Sequence, residues 1–387
     1  MTTRSAGALS RLLLVSSFLL AGCSGDSTSP SSDPDQRIVA LHSGVLASCA
    51  LTASGSLRCW GQAFWDYDSI LVSPSSISGN LTVSDFSLGT DIYGTSACAV
   101  TEGLATYCWG EYAVNWEQYA PYGPPPALLQ DSLPLVRVTL GDGHGCGLTA
   151  AGAAYCWGSY SGGKRGNGAP VPVPAAGNTV PNQVVGGLTF LELAATRSHT
   201  CGLTAQHEVY CWGLDPWLGE SGGPRYDTFD DCAFYQYETT CAWEPIKVTA
   251  LTAVQQISAG GFGTCALSQV GTVLCWGPDP VAFPPAADLP SQVPLPESVT
   301  QVSVGGAHAC ALATTGVVYC WGGHNGAGAD PTPVATSLRF TSISAGGSHT
   351  CGIARNERVY CWGGNGSGQL GGGIGNPSST PVEVRFE

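Results

Sequence analysis

The stretch HTCGIARNERVYCWG, residues 349–363, sets two cysteines ten positions apart and follows the second with Trp-Gly. The arrangement occurs seven times: Cys49 with Cys59, Cys98 with Cys108, Cys146 with Cys156, Cys201 with Cys211, Cys265 with Cys275, Cys310 with Cys320, and Cys351 with Cys361. Trp-Gly follows the second cysteine in every copy, at Trp60, Trp109, Trp157, Trp212, Trp276, Trp321 and Trp362. Turn-like centres such as TASGS (52–56), TAAGA (149–153) and ATTGV (313–317) predict a β-hairpin in each copy. With the turn near the fifth position, the two cysteines face each other across the ladder, where opposed Cα atoms lie within disulfide reach. Side chains alternate along a strand, so the cysteines share one face of the hairpin and the Trp takes the other. Such a bridge contributes roughly 2–3 kcal/mol in the chain-entropy model. Zinc is the competing reading, but zinc sites favour cysteines two to four apart with a second pair beside them.

The seven pairs use fourteen of seventeen cysteines; Cys232 and Cys241 form an eighth candidate pair, which leaves Cys23. Arg4 and Arg11, the apolar run 12–20 and the small-residue junction LLAGC precede or include it. The run is too short to span a bilayer as a helix, so residues 1–22 are expected to be a signal peptide. The junction resembles a bacterial lipobox, which implies that Cys23 becomes the lipidated first residue of the mature chain. Ser24 in place of Asp then implies sorting to the outer membrane of a two-membraned organism. Residues 23–36, rich in Ser, Pro and Asp, are read as a disordered tether with a reach on the order of 20 Å. Export and paired cysteines name the same oxidising compartment.

A strand ending in Gly precedes the hairpins, as in QISAGG (256–261), QVSVGG (301–306) and SISAGG (342–347). Before that strand there is often a Pro-led one, such as EPIKV (244–248) or DPTPV (330–334). A unit of about four short strands, with 41 to 64 residues between successive first cysteines, has the size of a propeller blade. The expected fold is therefore all-β, one closed ring over residues 37–387. The first copy has no Pro-led strand before it, and STPVEV (379–384) has no hairpin after it. The C-terminal strand is accordingly expected to supply the piece missing from the first copy, with the termini as neighbours.

These residues carry a resemblance. Gly-Gly-x-His-Thr-Cys, then Val-Tyr-Cys-Trp-Gly, then GNGSGQLGGG (364–373) is similar to the repeat of the regulator of chromosome condensation family. The resemblance covers nearly the whole mature chain and implies a seven-bladed β-propeller. The Asn-x-x-Gly-Gln-Leu-Gly element is intact only in the last copy, and the cysteine pairs resemble an exported bacterial branch. His144, His199, His308 and His349 each sit two residues before a first cysteine; Ala47, Ser96 and Gly263 hold the other places. A metal-binding ring would be broken there, and the resemblance implies instead a histidine that ties one blade to the next.

No reaction centre is legible. The Gly-rich run lacks the Gly-Lys-Ser/Thr of a phosphate loop and is read as tight turns. The acidic DTFDD (227–231) lacks the ligand alternation of a calcium loop. No cofactor or metal site is assigned. The full chain carries a formal charge of −14, and residues 23–387 hold 12 basic against 28 acidic side chains, which opposes nucleic-acid binding.

Insertions fall repeatedly after Trp-Gly. They hold every tryptophan outside the repeat, Trp65, Trp116, Trp217 and Trp243, together with Tyr67, Tyr119, Tyr122, Tyr226, Tyr235 and Tyr237. Aromatic rings with few lysines are the composition of a recognition surface, and equally of small cores inside long loops. The leading expectation is a lipid-anchored, monomeric propeller that binds an extracytoplasmic protein or glycan at the cell envelope. An exported hydrolase or lyase is the alternative. Nucleotide exchange on a small GTPase, an activity of eukaryotic relatives, and a purely structural envelope role follow it.

Overall fold

The computed structural model describes residues 36–386 apart from 63–68, 90–95, 111–126, 130–132, 160, 169–179, 215–217, 220–240, 262, 278–286 and 324–329. Among the described residues the chain forms seven four-stranded antiparallel sheets, each from four strands consecutive in sequence. It is a seven-bladed β-propeller. Blades 1 to 7 span residues 38–76, 83–128, 135–183, 190–247, 254–292, 299–333 and 340–383. Blade 1 shows the order: Ile38–Ser43, Ala47–Thr52, Leu57–Gln62 and Ile70–Ser76. The first strands of all seven blades line one central cavity, so each sheet runs from the axis outward.

The cysteine hairpin is the middle pair of strands. Cys49 stands opposite Cys59, and the same register recurs in every blade. All seven bridges expected within the repeats are formed. Cys49 is bonded to Cys59, Cys98 to Cys108, Cys146 to Cys156 and Cys201 to Cys211. Cys265 is bonded to Cys275, Cys310 to Cys320 and Cys351 to Cys361. Their Cα atoms lie 4.0–4.1 Å apart, the close class of antiparallel neighbours.

The core lies between blades, and it explains why Cys and Trp travel together. The disulfide face of each blade packs against the Trp face of the next. Cys49 and Cys59 cluster with Trp109, Cys98 and Cys108 with Trp157, and Cys146 and Cys156 with Trp212. Cys201 and Cys211 then meet Trp276, Cys265 and Cys275 meet Trp321, and Cys310 and Cys320 meet Trp362. The series closes where Cys351 and Cys361 meet Trp60.

The glycine after each Trp is a backbone requirement. All seven, Gly61, Gly110, Gly158, Gly213, Gly277, Gly322 and Gly363, have positive φ. At Gly158 an added Cβ would lie 2.4 Å from the Gly143 carbonyl oxygen, so no other residue fits.

Two expectations need correction in phase. The Pro-led strand follows the hairpin of its own blade as the outermost strand instead of leading the next: 241–247 pairs with 209–214 of blade 4. Proline has no N–H to donate, and the outer edge is where a sheet tolerates it. The C-terminal strand Ser378–Glu383 therefore completes blade 7, not blade 1, and among the described residues no sheet is shared between the ends. The ends do meet. Ile38 and Val384 pack in one cluster, Trp60 and Phe386 stack edge-on at 5.7 Å, and Gly347 N donates to Gly44 O at 3.0 Å.

Candidate binding face

A propeller has two faces, and the strand order assigns the loops to them. Each third strand ends at Trp-Gly, opposite the start of the second strand: Gly61 pairs with Ala47 and Gly363 with His349. The turns between first and second strands and the connections between third and fourth strands thus open on one face. The tight cysteine hairpins turn on the other. All insertions noted in the sequence belong to the third-to-fourth connections and leave from the first face, called here the loop face.

Of the aromatic candidates, Trp65, Tyr67, Trp116, Tyr119, Tyr122, Trp217, Tyr226, Tyr235 and Tyr237 lie outside the described residues, as do Cys23 and Cys232. Trp243 is described, and it corrects the expectation of a surface anchor. It is 2% exposed and packs against Leu214 and Cys241. Cys241 is itself disulfide-bonded, to a partner outside the described residues. At this position the ring is buried where the third and fourth strands of blade 4 begin to diverge.

The Gly-rich run 364–373 does what tight turns can do, with an added role. Gly368, Gly371 and Gly373 have positive φ, and the run covers blade 1, where Trp60 Nε1 donates to Gln369 O at 2.8 Å. Residues 161–168 form an equivalent cover over blade 4 without the sequence motif. Trp212 Nε1 donates to Lys164 O at 2.9 Å, while Lys164 Nζ turns inward to Asp142 O at 3.0 Å. Nothing in the sequence pattern had singled out Lys164 or Arg165 as buried cations.

The four repeat histidines are buried, and each Nε2 reaches a hydroxyl on the following blade. His144 lies 2.9 Å from Thr200 Oγ1, His199 2.7 Å from Thr264, His308 2.8 Å from Thr350, and His349 2.7 Å from Ser48 Oγ across the closure. Burial holds His199 and His349 at about 3, so both are neutral and able to accept or donate to a hydroxyl. Burial, with Lys164 nearby, depresses His144 as well. Among the described residues no three His, Cys, Asp or Glu side chains gather as a metal site would require.

The axial cavity measures about 590 Å³. Its polar side chains point along the ring. An innermost strand presents a bare edge, and side chains of the preceding blade satisfy it. Gln256 accepts from Val302 N at 3.0 Å and donates to Val302 O at 3.2 Å; Gln301 does the same at Ile343. Asp85 and Glu192 hold corresponding places, accepting from Val138 N at 2.8 Å and Ile257 N at 3.1 Å. Burial raises Asp85 to about 6 and Glu192 to about 7, against the opposing pull of those N–H groups and of Arg137. The cavity wall is thus a set of blade-to-blade clamps.

With this geometry established, comparison with known proteins gives a consistent answer. The model of the regulator of chromosome condensation (RCC1) repeat matches residues 191–215, 299–329 and 340–369. The chain carries RCC1 repeats. Among solved structures it is similar to human WBSCR16, at 17% identity, TM-score 0.70, over 88% of this chain and 93% of that one. It is similar also to Prp20p from Saccharomyces cerevisiae, at 16% identity, TM-score 0.68, over 91% and 88%; that protein's binding to Gsp1p and histones has been examined. The CRINKLY ectodomain of the Arabidopsis thaliana receptor kinase ACR4 is 21% identical, TM-score 0.52, over 90% and 99%. At these identities the likeness is one of fold. No curated protein matches the sequence. The matched RCC1 repeats fall in blades 4, 6 and 7, each of which carries the blade-tying histidine.

Proposed function

We propose that this protein is a binding module of the bacterial cell envelope, anchored by lipid at Cys23, that recognises a protein or glycan with its loop face. One observation carries the reading. The long insertions 63–68, 111–126 and 215–240 all connect third to fourth strands, so they leave one face, and they hold Trp65, Trp116 and Trp217. RCC1-type propellers are a protein-binding module type. The seven disulfides support an extracytoplasmic site of action.

The test passes wild type and the triple variant Trp65→Ala/Trp116→Ala/Trp217→Ala over arrays of envelope glycans and surface proteins. An aromatic hot spot commonly carries 2 kcal/mol or more, about thirtyfold in affinity. The expected result is at least one ligand held by wild type and lost by the variant at unchanged melting temperature. Equal binding of both forms would put recognition elsewhere, and a chain that binds nothing on either array would remove the proposal.

A further inference from the structure

The hairpin face, opposite the insertions, has an uneven charge. Residues 37–387 hold twelve basic side chains, and five exposed arginines gather at the hairpin ends of blades 7 and 1: Arg37, Arg339, Arg355, Arg358 and Arg385. Arg355 N donates to Arg339 O at 2.7 Å, and the Arg355 guanidinium reaches Thr315 O at 3.1 Å. Arg358 lies in the same hairpin. Ile38 and Val384 pack together, which brings their chain neighbours Arg37 and Arg385 to the seam between the two blades. Exposed Glu357 and Glu383 offset this in part, Glu383 by pairing with Arg358 at 3.1 Å, and Asp35 and Glu387 stand two residues from Arg37 and Arg385 in the sequence. The insertions whose ends lie at the opposite face have the reverse sign in their sequence. The insertions of blades 1, 2 and 4 hold Asp66, Asp68, Glu111, Glu117 and the acidic run 227–231, with Arg225 as their one cation.

We propose that the arginine cluster on the hairpin ends of blades 7 and 1 docks on a phosphatidylglycerol-containing bilayer and turns the loop face away from it. The cluster lies where residue 37 enters the ring, the point from which the chain runs back to Cys23, so the inference rests on Cys23 as the anchor. Fourteen residues, 23–36, separate Cys23 from the ring, and random-coil scaling for a chain of that length gives a reach on the order of 20 Å, enough for the cluster to meet the headgroups. Juxtamembrane Lys or Arg residues contribute about 1 kcal/mol each near an anionic surface. The acidic insertions are repelled by the same surface, so attraction and repulsion select one orientation.

The chain from Ser24 onward, which keeps the whole ring and carries no acyl group, is cosedimented with phosphatidylcholine vesicles with and without phosphatidylglycerol. It is expected to pellet with the anionic vesicles only, and to be released by high salt. Arg37→Gln/Arg339→Gln/Arg355→Gln/Arg385→Gln should lower the partition more than tenfold with an unchanged melting temperature. Arg137→Gln/Lys247→Gln, on blades 3 and 4, should leave it unchanged. Equal binding to both vesicles, binding to neither, or a quadruple variant that pellets like wild type would each overturn the proposal. Mass spectrometry of Cys23 in the membrane-extracted protein decides the anchor separately.

Discussion

Blade 1 has two neighbours and is joined to them differently. At the seam with blade 7, the disulfide between Cys351 and Cys361 packs on Trp60, and His349 bonds Ser48. At the seam with blade 2, the disulfide between Cys49 and Cys59 packs on Trp109, but Ala47 and Ala97 stand where the histidine and hydroxyl would be. The same either-or holds round the ring. The four blades with histidine are each followed by Ser or Thr one residue before the next first cysteine: Thr200, Thr264, Thr350 and Ser48. The three without it are followed by Ala97, Gly145 and Ala309. A buried hydroxyl or imidazole left unpaired costs free energy, so the two residues come and go together. The unit of pairing is half of one repeat and half of the next.

The Cys–Trp half of this joint is thus common to all seven seams, and the histidine–hydroxyl half is optional. The strongest test is of the common half. Trp60→Ala and Trp109→Ala remove buried indoles from a latched and an unlatched seam, and each should cost about 3–5 kcal/mol in chemical denaturation. If Trp109→Ala were nearly silent while Trp60→Ala unfolded the ring, the seams would differ in their cores and the comparison would fail.

The optional half should show a smaller effect with a pH signature. His199→Ala leaves Thr264 Oγ1 buried without its partner and should cost about 1–3 kcal/mol, part of which returns in His199→Ala/Thr264→Ala. Native His199 and His349 titrate at about 3 against 6.5 in the unfolded chain. The unfolded state therefore binds more protons between those values, and stability is full above about 6.5 and falls as pH drops towards 3. Glu192 and Asp85 run the other way. Their pKa values, raised to about 7 and about 6, give stability that is full below the unfolded values and is lost as pH rises through the folded ones. Glu192→Gln reproduces the Gln256 clamp and should stabilise the ring above about pH 7, while making the acid-side fall steeper. A melting temperature that is flat from pH 3 to 7 in wild type and in Glu192→Gln would remove the account.

Much of this was legible in the sequence, and the gaps have physical causes. The ten-residue cysteine spacing and the invariant Trp-Gly forced the hairpin, its register and the number of blades. The histidines were visible, but their partners lie in the next copy, and reading each copy alone hid the match between His144 and Thr200. Comparing each histidine place with the residue before the following first cysteine would have found it. The phase of the Pro-led strand was ambiguous because a strand between two hairpins can join either one. Trp243 shows the limit of composition: aromatic rings suit a surface and a buried strand end alike. Its neighbour Cys241, held in a disulfide, was the available sign that this segment is packed.

The smallest effect comes from adding a latch where none exists. Gly145 excludes one at the seam between blades 2 and 3, because a Cβ there would sit 2.6 Å from the Trp157 ring. The seam between blades 1 and 2 has no such obstacle at Ala97, whose equivalents in blades 4, 5 and 7 are threonines. Ala47→His with Ala97→Thr installs the pair found at four other seams. A net intramolecular hydrogen bond is worth about 0.5–1.5 kcal/mol, so the double variant should gain up to that amount. Each single variant should lose stability, since it buries a polar group alone. That sign reversal between single and double variants is the diagnostic, and it is insensitive to errors in absolute stability. Additive losses would mean that the histidine and hydroxyl are not one unit, and that the match across the other four seams has another cause.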